Sequence, residues 1–115
     1  ADLKTLNVRP IFVTQPLLFD DSEKWKSVGG WNYSVGGREG KLSAATYSRL
    51  LDMFNQDMIQ TCHDDSVDVF DLASQIPHSS EFFYDAMHFN EKGAELVAEK
   101  IARHINDNYP KLRKD

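Results

Sequence analysis

Two short apolar runs, each followed by a segment of helical periodicity, constrain this chain more than any other feature. The first is Ile11-Phe12-Val13-Thr14-Gln15, closed in by Pro10 and Pro16. A β-branched apolar run bounded by prolines reads as a buried strand, and the proline after Gln15 ends it. From Ser43, an N-cap residue type, Tyr47, Leu50, Leu51, Phe54, Met58 and Ile59 follow helical spacing to about Thr61. Val67 to Leu72 is the second strand, and a turn-rich stretch through Pro77 and Ser80 follows it. Asn90 then caps a helix to about residue 108, with Ala94, Val97, Ala98, Ile101 and Ile105 as its apolar stripe and Glu91, Lys92, Glu95, Glu99, Lys100 and Arg103 as its wet face. The order strand, helix, strand, helix predicts an α/β fold whose parallel strands are joined by a right-handed crossover. In such sheets a site forms at the carboxyl ends of the strands, where Thr14, Gln15, Asp71, Asp85 and His88 would gather.

A chain of 115 residues allows one domain and one core, so residues 1–115 are read as a single unit. With 41% hydrophobic and 27% charged residues, the composition is that of an ordinary globular protein. No apolar run approaches the roughly 20 residues that span a bilayer. The net charge of −5 and the lack of a clustered basic face argue against nucleic acid as a partner. Cys62 is the only cysteine, which rules out an intrachain disulfide and points to no redox compartment. Residues 17–42 hold five of the six glycines and both tryptophans, and they read as one long surface loop. Within it Trp25, Trp31 and Tyr33 either line a substrate pocket or pack back onto the body. Residues 2–8 read as the tail of a helix.

The chemistry concentrates in Tyr84-Asp85-Ala86-Met87-His88-Phe89-Asn90-Glu91-Lys92-Gly93. A carboxylate three positions before a histidine can hold one imidazole nitrogen, fix the tautomer and leave the other nitrogen free to take a proton from a hydroxyl. A neutral imidazole both accepts and donates a proton near neutral pH, and an adjacent carboxylate stabilises the imidazolium formed in between. The bland alternative is an aspartate that merely caps the next helix.

Asp85, His88 and Gly93 match in identity and spacing the last block of the SGNH (GDSL-type) hydrolases, and residues 8–108 resemble the C-terminal portion of that family. Val13-Thr14-Gln15-Pro16 is similar to the strand end that follows the family's third block, and Val67 to Leu72 to its final strand. The resemblance implies a three-layer α/β/α sandwich of flavodoxin-like type and a serine esterase, lipase or carbohydrate deacetylase that needs no cofactor or metal. It implies His88 as general base and acid, with Asp85 orienting it.

The chain departs from the family where the nucleophile belongs. The Gly-Asp-Ser and Gly-x-Asn-Asp blocks are missing. Ser22, in Leu17-Leu18-Phe19-Asp20-Asp21-Ser22, is the nearest imitation, and the preferred reading is a polar residue in an acidic turn. The expectation is therefore a chain that contributes His88 and Asp85, with Gln15, Trp25, Trp31 and Tyr33 as candidate substrate contacts, and that is inactive alone. An upstream segment or another copy would complete the sheet, because parallel sheets are stable chiefly when covered on both faces. Two other readings stand beside it: a non-catalytic binding or assembly module, and a hydrolase using Asp85 and His88 as metal ligands. Cys62, His63, Asp64 and Asp65 read as a solvated helix end, and His78 and His104 as loop and helix-surface residues without a role.

Overall fold

The computed structural model describes residues 5–112, apart from the side chains of residues 29–31 and 112. Its centre is a parallel pair of strands, β1 (Ile11–Val13) and β4 (Asp68–Phe70), with Ile11 opposite Asp68 and Val13 opposite Phe70. Between them lie an antiparallel hairpin, β2 (Gly29–Val35) and β3 (Arg38–Ser43), and the long helix α1 (Ala44–Asp64). α2 (Glu91–Asn108) follows β4 after an irregular stretch. The chain is thus of mixed α/β type with parallel strands. No helix among the described residues is long and apolar enough to cross a membrane.

Local chemistry explains where the helices begin and end. The Ser43 side chain accepts from the Thr46 N–H at 3.2 Å, and the Asn90 side chain accepts from the Gly93 N–H at 2.9 Å, so each helix has a side-chain N-cap. α1 stops at a Schellman turn: Val67 N–H donates to the Cys62 carbonyl at 2.8 Å and Ser66 N–H to the His63 carbonyl at 3.1 Å. Ser66 takes the left-handed conformation (φ 55°) that this turn requires.

Strand parity sets the layers, because successive side chains point to opposite faces. Phe12 lines a groove with Phe54 and Met58 of α1, whereas on the other face the Phe70 ring stacks on His104 of α2 at 4.6 Å. The two helices therefore flank the strand pair from opposite sides. The buried core lies beyond the carboxyl ends of the strands, where Leu17, Leu18 and Phe19 after β1 meet Leu72 and Ile76 after β4, together with Phe83 and Ala86.

Three expectations are corrected. Residues 17–42 are not one surface loop: Leu17 to Phe19 are buried, Glu23–Trp25 form a 3-10 turn, and most of the remainder is the β2–β3 hairpin. Gly36 and Gly37 both have positive φ (58° and 76°), the signature of a two-residue type I′ turn. Of the helix tail expected over 2–8, residues 2–4 lie outside the described residues and 5–7 form a turn with Asn7 left-handed at φ 53°. His104 is largely covered rather than exposed on the helix surface. Its Nε2 meets Asp68 at 3.0 Å, and Asp68 also accepts from the Tyr109 hydroxyl at 2.6 Å. Burial works to raise the Asp68 pKa, but the hydrogen bonds from Tyr109 and His104 prevail and lower it, while the same contact raises that of Tyr109. This knot ties α2 to β4.

At the end of β1 the backbone is held by a side chain. Gln15 N–H donates to Asn55 Oδ1 and Asn55 Nδ2 donates to the Gln15 carbonyl, both at 3.0 Å. Asn55 is 3% exposed. Asn55→Leu keeps the branched shape of the side chain but strands two backbone groups, and a loss of about 2 kcal/mol is expected in urea unfolding; an unchanged midpoint would show that this pairing is dispensable.

Candidate active site

The segment from Glu81 to Asn90 is a loop stitched to itself and to the body. Tyr84 N–H donates to the His88 carbonyl at 2.8 Å, and Asn90 N–H to the Phe82 carbonyl at 3.1 Å. The Phe83 and Phe89 rings meet at 5.1 Å across an antiparallel bridge. Leu18 N–H donates to the Ala86 carbonyl at 2.8 Å, which places the loop beside the chain that leaves β1, at the carboxyl end of the strand pair. Gly93 lets α2 start directly under this loop. A Cβ there would stand 2.0 Å from the Phe82 carbonyl oxygen.

Asp85 and His88 come together at the tip. The Asp85 carboxylate accepts from the backbone N–H of Met87 at 3.0 Å and of His88 at 2.9 Å, and its Oδ2 lies 2.8 Å from His88 Nδ1. An ionised carboxylate only accepts, so Nδ1 carries the proton and Nε2 presents its lone pair. Nε2 has no hydrogen-bond partner among the described residues. The Met87 N–H, then the His88 ring and the His88 N–H, lower the Asp85 pKa from 3.8 to about 2. The pair is open, with the His88 side chain 72% and the Asp85 side chain 56% exposed. The arrangement is a proton acceptor with a fixed tautomer, presented outward.

The other candidates are dispersed. Ser22 Oγ donates to Asp20 Oδ1, the largest contribution to a lowered Asp20 pKa, and its N–H donates to the same atom at 3.0 Å. Ser22 thus sits in a local acidic turn. The Gln15 side chain donates to the Pro16 carbonyl at 2.9 Å, beside a cavity of about 160 Å³ that also touches Asn55, Asp71 and His78. Trp25 packs edge-on against Phe19 at 4.8 Å, under the Lys24 ammonium. Tyr33 lies across the hairpin over Gly40 and is 40% exposed. The Trp31 side chain lies outside the described residues. Asp71 accepts from the Thr14 hydroxyl at 2.8 Å, and His78 donates from Nδ1 to the Leu17 carbonyl at 2.8 Å.

Sequence reasoning passed over Asn55, which together with Thr14 closes the strand ends below this loop. Asn55 carried a signal, since it stands four residues from both Leu51 and Ile59 on the apolar stripe of α1. Comparison of the chain with family models, with curated proteins and with solved structures found no significant match.

Two outcomes follow from the geometry. A carbon-detected NMR titration should give Asp85 a pKa of about 2, raised but not fully restored to 3.8 in His88→Ala, because the Met87 N–H remains. The sign is that of a depressed carboxylate: the turn's stabilisation is complete above 3.8 and disappears as pH falls through about 2. Equal values near 3.8 in both proteins would refute the turn. Gly93→Ala should cost about 1–3 kcal/mol through overpacking against Phe82 and should shift the His88 ring resonances; an unperturbed spectrum would mean that α2 does not support the loop.

Proposed function

We propose that this chain supplies the acid–base half of an SGNH-type serine hydrolase acting on acyl or acetyl esters of lipid or carbohydrate. The observation that carries the proposal is the Asp85–His88 contact at 2.8 Å with Nε2 uncommitted, at the carboxyl end of a parallel strand pair. In the proposed reaction Nε2 takes the proton of a serine hydroxyl as its oxygen attacks the acyl carbon, and Asp85 stabilises the imidazolium. His88 then protonates the leaving alcohol, and in the second half it activates water to release the acid and free the serine. The serine and the oxyanion donors come from polypeptide beyond these 115 residues, since no Gly-Asp-Ser block is present and Ser22 is engaged with Asp20. The strands and flanking helices are then one portion of a three-layer α/β/α sandwich. The accepting face of Asp85 is filled by two N–H groups and Nδ1, which favours this reading over metal ligation.

The test is hydrolysis of short acyl p-nitrophenyl esters by a polypeptide that carries this segment together with the serine-bearing one. His88→Ala should lower kcat by about 10⁴-fold or more, and Asp85→Asn by about 10³–10⁴-fold. Unchanged turnover in His88→Ala would overturn the assignment, and absence of hydrolysis in the parent would favour a binding module.

A further inference from the structure

Ser48, Asp52 and Asn55 follow one another at helical spacing on a single face of α1. That face closes a cavity of about 160 Å³ at the carboxyl end of the strand pair, whose other walls include Gln15, Asp71 and His78.

What these walls offer a ligand depends on which polar atoms are already engaged. Both ends of the Asn55 carboxamide are spent on the Gln15 backbone, and the Gln15 side chain donates to the Pro16 carbonyl. Asp71 Oδ1 accepts from Thr14, which leaves Oδ2 without a partner among the described residues. Asp52 makes no hydrogen bond or ion pair among them. His78 donates from Nδ1 to the Leu17 carbonyl, so the neutral ring keeps a lone pair at Nε2. These remaining atoms are acceptors, and no lysine or arginine lines the cavity.

Ser48 distinguishes this recess from an acidic patch of surface. It is 4% exposed, and its hydroxyl has no hydrogen-bond partner among the described residues. Trp25 Nε1 is the one unpartnered side-chain polar atom walled off completely among those residues, so the Ser48 oxygen opens into the cavity. A buried hydroxyl left unpaired is costly, and a ligand hydroxyl placed against it removes the cost.

Size and charge then fix the class of ligand. A cavity of about 150 Å³ takes a molecule the size of benzene. An anion would meet the Asp52 and Asp71 carboxylates with no cation to offset them. A metal ion needs several ligands converging on one point, and among the described residues no three of His, Cys, Asp or Glu do so. We infer that this cavity binds a small amino alcohol of about six heavy atoms, with its ammonium toward Asp52 and Asp71 and a hydroxyl on Ser48. The site goes beyond the proposed hydrolysis and uses neither Asp85 nor His88.

The probe is serinol, the amino diol in which an ammonium replaces the central hydroxyl of glycerol, titrated into the ¹⁵N-labelled protein at a pH where imidazoles are neutral. Saturable shifts of the Ser48, Asp52, Asp71 and His78 amides are expected, with a dissociation constant on the order of 1 mM, well within what a ligand of this size can supply. Glycerol should bind at least tenfold more weakly and glycerate not at all. Butylamine, which keeps the ammonium and lacks the hydroxyls, should bind at least threefold more weakly than serinol. Asp52→Asn at an exposed position, and Ser48→Ala within a helix that alanine favours, should each raise the dissociation constant at least fivefold without altering the fold. No saturable shift at high millimolar serinol overturns the inference. So does glycerol or butylamine binding as tightly as serinol, which would remove the ammonium or the hydroxyl from recognition. Unchanged affinity in Asp52→Asn or in Ser48→Ala overturns it as well, by placing the ligand elsewhere. None of these outcomes bears on the His88→Ala result in ester hydrolysis.

Discussion

The hydrogen bonds of Thr14 and Asn55 at the carboxyl end of the strand pair are the constraint on which the rest depends. Thr14 is 1% exposed; its hydroxyl donates to Asp71 and accepts from the Ala73 N–H, both at 2.8 Å. One side chain directly after β1 thereby sets the path of the chain leaving β4. Asn55 fixes the chain leaving β1 in the same way, from α1. A three-residue parallel pair is too short to hold its register by backbone bonds alone, and these buried side-chain bonds supply what strand length does not. From that point Leu17 to Phe19 enter the core and Leu18 pairs with Ala86, so the site loop inherits its place from the strand ends.

The candidate site itself is held differently. Asp85 and His88 are exposed, and their geometry comes from backbone N–H groups converging on one carboxylate rather than from burial. Because those donors favour the ionised form, Asp85 stays charged near neutral pH and holds the proton of a neutral His88 on Nδ1. Gly93 contributes from below: only a residue without Cβ allows α2 to begin against the Phe82 carbonyl. An exposed, preoriented proton acceptor acts only beside a group with a proton to give up.

Local features were legible in the sequence, and distant ones only where the strand order itself brings residues together. The Ser43 and Asn90 caps, the two helices and the Asp85–His88 contact all act over three or four residues, and periodicity or spacing reveals them. The hairpin was also written locally, in the alternation Trp31-Asn32-Tyr33-Ser34-Val35 before Gly36-Gly37, but the glycine density around it reads as loop. Thr14 and Asp71, 57 residues apart, were legible as neighbours because the strand order puts both at the carboxyl ends of the pair, whereas the Asp68–His104 contact, 36 residues apart, depends on the return of α2 and no local pattern announces it. The strands pair over three residues each, shorter than their apolar runs: the Thr14 N–H still donates to the Phe70 carbonyl at 3.1 Å, but the Leu72 N–H turns back to that same carbonyl at 2.9 Å, and the ladder ends there.

The most direct test of the acid–base assignment is the protonation state of the His88 ring nitrogens, read by ¹⁵N chemical shifts in the labelled chain at a pH where the imidazole is neutral. The account predicts a single Nδ1–H tautomer with an unprotonated Nε2, and its collapse to a tautomer mixture in Asp85→Ala. A neutral His88 protonated on Nε2 in the parent chain would contradict it, because that nitrogen could not then accept a proton from serine.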